Sequence, residues 1–143
     1  MAIVNERSIP TDQPAASGAV SKWQIWTGRV LSTLSVLLLA LDAAGKFMMP
    51  VQVVKASERL GIPVHLSPTI GILLTVSTLL YAIPPTAVLG AVLLTGYLGG
   101  AVAIHMRAGS TLFETVSPVI MSLITWAGIY LRDGRVRRLL PIR

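Results

Sequence analysis

Thr86 to His105 reads TAVLGAVLLTGYLGGAVAIH and contains no acidic residue, lysine or arginine. A helix of that length is about as long as the hydrocarbon core of a bilayer is thick, so the stretch is expected to cross a membrane. Small residues recur through it at every fourth position, Ala87, Ala91, Thr95, Gly99 and Ala103, nearly on one helix face. In lipid, apolar side chains gain little by exchanging lipid tails for one another, and helices associate instead where small residues let their backbones approach. That stripe, with the adjacent Gly96 and Gly100, is the expected helix-packing surface.

Three further spans lie around this one. A second span, residues 66–83, opens on Ser67-Pro68, the form of a hydroxyl N-cap followed by proline at the first helical position. Pro84-Pro85-Thr86 separates it from the third span, 86–105, by a turn so short that the two must be antiparallel neighbours. Thr111-Leu-Phe-Glu114 has capping-box spacing and opens a fourth span, 111–131, in which Pro118 cannot donate to the Glu114 carbonyl and predicts a bend. The first span covers residues 25–47, with Asp42 and Lys46 one turn apart near its end, acid first, the order that favours an ion pair along a helix. After Pro50, residues 51–61 place Val51, Val54, Ser57 and Leu60 at intervals of three, with Gln52, Lys55, Glu58 and Arg59 mostly opposite. This segment is too short and too charged to span and suits an interfacial helix, closed by Gly61 and Pro63.

The expected fold is therefore all-α: an antiparallel four-helix transmembrane bundle with a short interfacial amphipathic helix after the first span. Residues 1–24 are polar and form an expected flexible tail, residues 25–132 the membrane domain, and 133–143 a basic tail. No signal peptide is expected, since no small-residue cleavage site follows the first long apolar stretch. Trp23 and Trp26 before the first span and Trp126 and Tyr130 near the end of the last suit the aromatic belts of a bilayer surface.

Composition agrees with this. The 143 residues are 53% hydrophobic and 13% charged, far from soluble usage. The net charge of +6 comes largely from five arginines in the last dozen residues, directly after an apolar segment, so it is a matter of topology and no nucleic-acid partner is expected. Four spans put both termini on one side. That side carries eight of the twelve lysines and arginines, which favours cytoplasmic termini and a multi-pass protein of the cell membrane. With no cysteine, disulfides, thiolate catalysis and Cys-ligated metals or clusters are excluded.

The topology gathers Asp42, Lys46, His105, Arg107 and Glu114 at the outer face, and with mid-span Tyr97 they form the candidate ligand-binding cluster. Ionisable groups in or beside a span are costly and are kept by pairing or by function. Asp42 either braces its own helix through Lys46 or faces the interior and binds a cation, a proton or a polar head group. His105 is either a residue of the polar boundary or a proton carrier beside Asp42 or Glu114. Tyr97 either hydrogen-bonds a neighbouring carbonyl or borders a flat cavity, opened by Gly96, Gly99 and Gly100, that accepts a ring or a lipid tail. No catalytic residue is assigned: there is no nucleotide-binding glycine spacing and no hydrolase order of Ser, His and Asp. With two histidines in total, His65 and His105, no metal site is expected.

Asp42-Ala-Ala-Gly-Lys46, the segment up to Gly61-Ile-Pro63, Leu80-Tyr-Ala-Ile-Pro84, and above all Leu94-Thr-Gly-Tyr-Leu-Gly-Gly-Ala-Val-Ala-Ile-His-Met-Arg107 resemble the DoxX-like family of small membrane proteins, and the similarity runs from Gly28 to Pro141. The resemblance implies a four-helix integral membrane protein. It also implies a loose association with quinone-linked redox systems, because the family is named after a subunit of a quinone-reducing thiosulfate oxidase; quinone is thus the one cofactor it brings into view.

Three roles follow, in order of preference. The first is a non-catalytic subunit or accessory protein of a redox or envelope-stress system, its small-residue stripe packing inside the bundle, against a membrane-protein partner or against a second copy. The second is a quinone- or lipid-binding oxidoreductase component in which Asp42 and His105 handle protons. The third is a small proton-linked transporter, placed last because four short helices without an inverted repeat of broken helices leave little room for alternating access. The balance leans against an enzyme.

Overall fold

The computed structural model describes residues 22–139, all of whose regular elements are helices. They are α1 (Lys22–Met48), α2 (Val51–Arg59), α3 (Ser67–Ala82), α4 (Ala87–Arg107), α5 (Leu112–Arg132) and α6 (Gly134–Leu139). Four segments, α1, Val64–Ala82, Pro84–Arg107 and α5, are long and apolar enough to cross a membrane. The expected tail lies outside the described residues up to position 21, and helix α1 has begun by Lys22, so Trp23 belongs to the helix.

The spans form an antiparallel square in which α1 lies against α3 and α5, and α4 lies against the same two helices. Its exterior is apolar on every side: Leu37, Leu41, Ile72, Leu79, Leu89, Val92, Ile120 and Leu123 are all exposed. Its interior, conversely, is rich in small hydroxyls, with Ser32, Ser35, Ser77, Thr78 and Thr125 buried beside Leu74, Tyr81, Leu94 and Ile129. A soluble bundle sorts these residue types the other way. Here lipid is the solvent, and packing is achieved by small side chains and internal hydrogen bonds.

Close backbone approach is concentrated at the end of the bundle where α1 begins and α5 finishes. A Cβ on Gly90 of α4 would fall on the backbone of Tyr81 in α3. A Cβ on Gly28 of α1 would lie 2.7 Å from the Arg132 nitrogen, and one on Gly128 of α5 would lie 2.6 Å from the Ser32 hydroxyl. Tyr81 fills the space between: its hydroxyl donates to the Thr125 carbonyl at 2.9 Å and pairs with the Ser32 hydroxyl at 3.1 Å. Arg132 donates to the Tyr81 carbonyl at 3.0 Å and lays its guanidinium 5.2 Å from the ring centroid. One polar knot thus joins α1, α3 and α5.

The expected small-residue stripe of α4 divides. Ala87 and Ala91 are buried, and Thr95 accepts a hydrogen bond from the Trp126 indole at 2.8 Å. Around Gly96, Gly99 and Gly100, by contrast, a Cβ would meet nothing within 4 Å, and Ala103 is exposed. Within the chain the tight contacts are made by Gly28, Gly90 and Gly128, none of which lies on the stripe.

The connections follow local chemistry. Thr111 and Glu114 form the expected capping box at the start of α5. Helix α5 runs on through Pro118, and the Glu114 carbonyl that proline leaves without a backbone donor accepts from the Ser117 hydroxyl at 3.2 Å. Ser67 does not cap α3. A 3-10 turn, Val64–Leu66, runs straight into the helix, the Ser67 amide bonds Val64, and its side chain turns inward to lie 3.5 Å from the Ser57 hydroxyl. Both α2 and α4 end in a left-handed glycine, Gly61 (φ +67°) and Gly109 (φ +63°), with the paired backbone bonds of a Schellman motif. On α2 the inward face is Val53, Val54, Ser57 and Leu60; Val51, expected on that face, is exposed. Of the expected basic tail, Gly134–Leu139 form α6, which folds back and buries Val136, while Arg137 donates to the carbonyls of Tyr130 and Leu131 that α5 leaves free at its end; positions 140–143 lie outside the described residues.

Candidate functional site

At the opposite end of the bundle the packing loosens. The halves of α1, α3, α4 and α5 away from the glycine contacts surround a cavity of about 760 Å³, within the range of ligand sites. Helix α2 lies across its end, contributing Val53, Ala56, Ser57 and Leu60 to the wall. Most of the lining is apolar, including Leu39, Leu73, Leu98, Ile104 and Met121.

The titratable groups come from two helices. Asp42 and Lys46 stand one turn apart on α1, and the Lys46 ammonium donates to Asp42 Oδ1 at 2.6 Å. Tyr97 of α4 brings its hydroxyl to 3.5 Å from Asp42 Oδ2, while its ring centroid lies 5.9 Å from the Lys46 ammonium, at the outer limit of a cation–π contact. Lys46 is the more covered of the pair, with 19% of its side chain exposed against 51% for Asp42. His105, two turns beyond Tyr97, lines the same cavity and holds its Nδ1 3.1 Å from the Ser110 hydroxyl. Gly96 and Gly100 lie on the wall, where the missing side chains leave room beside Tyr97.

Of the six residues expected to cluster, Asp42, Lys46, Tyr97 and His105 thus share one cavity, and Arg107 and Glu114 do not line it. Glu114 accepts both terminal nitrogens of Arg59, at 3.0 and 2.9 Å, in addition to capping α5. Arg107 donates to the Leu60 carbonyl at 3.0 Å. These two residues therefore strap the end of α2 to the α4–α5 connection and hold the roof in place.

Sequence reasoning placed Ser57 on a helix face and Ser67 at a cap without assigning either to the cavity wall, and passed over Ser117 and the whole knot around Tyr81. A signal existed for the knot: Gly28, Ser32 and Ser35 recur at helical spacing in the first span, and Thr125 and Gly128 do so in the last. Small and polar residues on one face of an apolar helix mark its protein-facing side.

In chemical terms the site offers a largely apolar volume in which a carboxylate, an ammonium and a phenol meet, with an imidazole on the same wall two turns further along α4. Among the described residues no three His, Asp or Glu are grouped as metal ligands would be. No curated protein and no solved structure matches the chain. The model of the DoxX-like family matches residues 30–128, a stretch that begins on α1, ends on α5 and takes in all four lining residues of the candidate cluster, and on that match the chain belongs to the DoxX-like family.

Proposed function

We propose that this protein is a non-catalytic component of a membrane redox or envelope-stress system, a subunit or accessory protein that receives a membrane-soluble ligand, a quinone or a lipid, in the cavity between its helices. The observation that carries this is the cavity itself: a half-open, largely apolar space of about 760 Å³ whose wall carries Asp42, Lys46, Tyr97 and His105, at the end of the bundle away from the close contacts of Gly28, Gly90 and Gly128. Association with a partner or a second copy is part of the same proposal, and the exposed Gly99 and Ala103 are the surface offered for it. The termini are placed in the cytoplasm of a cell-membrane protein on the charge bias alone.

The test is native mass spectrometry of the full chain extracted in mild detergent, followed by quinone titration. A bound small molecule or saturable quinone binding is expected, and Gly100→Leu, which fills the cavity where a side chain meets no neighbour, should abolish it while leaving the fold intact. An empty protein that binds no added quinone or lipid overturns the proposal.

A second role draws on the placement of Asp42 and His105 around one cavity. Were the occupant a quinone, these are the groups positioned to pass protons to it. Asp42→Asn would then weaken binding or proton uptake; unaltered titration in the variant removes the role.

A further inference from the structure

We infer that the cavity selects an amphiphile with an uncharged, oxygen-bearing head, a hydroxyl or a carbonyl, and rejects anionic and cationic amphiphiles of the same length. The inference rests on the cavity being a ligand site and adds the chemical class of its occupant.

The selection follows from how the charges are already spent. Among the described residues that line the cavity, Asp42 and Lys46 are the only carboxylate and the only ammonium, and at 2.6 Å they neutralise each other. The nearby guanidinium groups are committed outside it, Arg59 to Glu114 and Arg107 to the Leu60 carbonyl. An anionic head beside Asp42 would therefore find Lys46 already neutralised, and His105, the other basic side chain on the wall, lies two turns beyond Tyr97 with its Nδ1 paired to Ser110. A cationic head could bind Asp42 only by displacing Lys46, whose largely covered side chain would be left without its counter-charge.

An uncharged head incurs neither penalty. The Lys46 ammonium has three donor protons, and one bond to Asp42 accounts for one of them. The Tyr97 hydroxyl stands 3.5 Å from Asp42 Oδ2, at the long limit of a hydrogen bond, so both atoms can take a better partner. A carbonyl can accept from Lys46 or Tyr97, and a hydroxyl can in addition donate to Asp42, while Leu39, Leu73, Leu98 and Met121 cover the chain. Discrimination of this kind comes mainly from what the wrong ligand leaves unpaired.

Three diazirine probes with one alkyl chain test this: a primary alcohol, a sulfonate and a trimethylammonium, the last two permanently charged. They are photo-crosslinked to the full chain in phosphatidylcholine nanodiscs, and labelling of cavity residues on α1 and α4 is divided by labelling at lipid-facing Leu37 and Ile120 to correct for partitioning. The alcohol is expected to exceed each charged probe at least tenfold. Asp42→Asn, which leaves Lys46 without its counter-charge, should raise the sulfonate ratio towards that of the alcohol, and Lys46→Met should do the same for the trimethylammonium. A charged probe that equals the alcohol in the unmodified protein overturns the inference and leaves the ligand site standing. Absence of cavity labelling by all three overturns the ligand site itself.

Discussion

Gly90 and Gly99 stand nine positions apart on one apolar helix, yet substituting them should have opposite consequences. A methyl group at Gly90 would overlap the Tyr81 backbone, which is fixed in turn by the Ser32, Thr125 and Arg132 contacts, so neither helix can yield cheaply. A methyl group at Gly99 meets nothing within 4 Å. Thermal unfolding in detergent should show Gly90→Ala destabilised by about 1–3 kcal/mol, the usual cost of overpacking. Gly99→Ala should be unchanged or more stable by up to about 1 kcal/mol, since alanine is the better helix former. If Gly99→Ala loses as much as Gly90→Ala, Gly99 is packed against another molecule. The sequence could show that α4 has a face of small residues, because that depends only on its period. It could not show which glycine is pressed by a neighbour, because the pressing atom belongs to a different helix.

Helix α2 illustrates the same division one level up. Its existence and its glycine stop were legible, since amphipathic spacing and a left-handed cap are local. So was the Thr111–Glu114 capping box. Its attachment was not, because Arg59 finds Glu114 across 55 residues of sequence. Glu114 thus has two jobs, cap and strap, and Arg59 has one. Their substitutions should separate on that basis. Arg59→Gln should leave the melting temperature within the equivalent of about 0.5 kcal/mol, as expected for a single exposed pair, while amides 51–60 exchange hydrogen several-fold faster. Glu114→Ala should speed the same amides and also lower the melting temperature below that of Arg59→Gln, because it removes the reciprocal half of the capping box together with the strap. If Arg59→Gln left exchange in α2 unchanged, the guanidinium would not be what holds the cavity roof.

For the molecule as a whole, the square of helices, the lipid-facing exterior and the shared end of α1 and α5 were foreseeable, because span length and turn length leave an antiparallel bundle few alternatives. So was the gathering of Asp42, Lys46 and His105 at the end away from the termini; what was not is the difference in packing along the bundle axis, a glycine-packed, hydroxyl-bonded end that carries the termini and an open end that carries those groups with Tyr97. Which compartment each end meets is an expectation from the charge bias, and a chain without cysteine makes it directly measurable. Single cysteines at Lys55 on α2 and Arg135 on α6 lie at opposite ends and are both exposed. With eight of twelve basic residues on the terminal side, a membrane-impermeant maleimide should label Lys55→Cys on intact cells and Arg135→Cys only after permeabilisation. The reverse pattern would turn the cavity towards the cytoplasm. The ligand proposed for it would then have to enter from the inner leaflet.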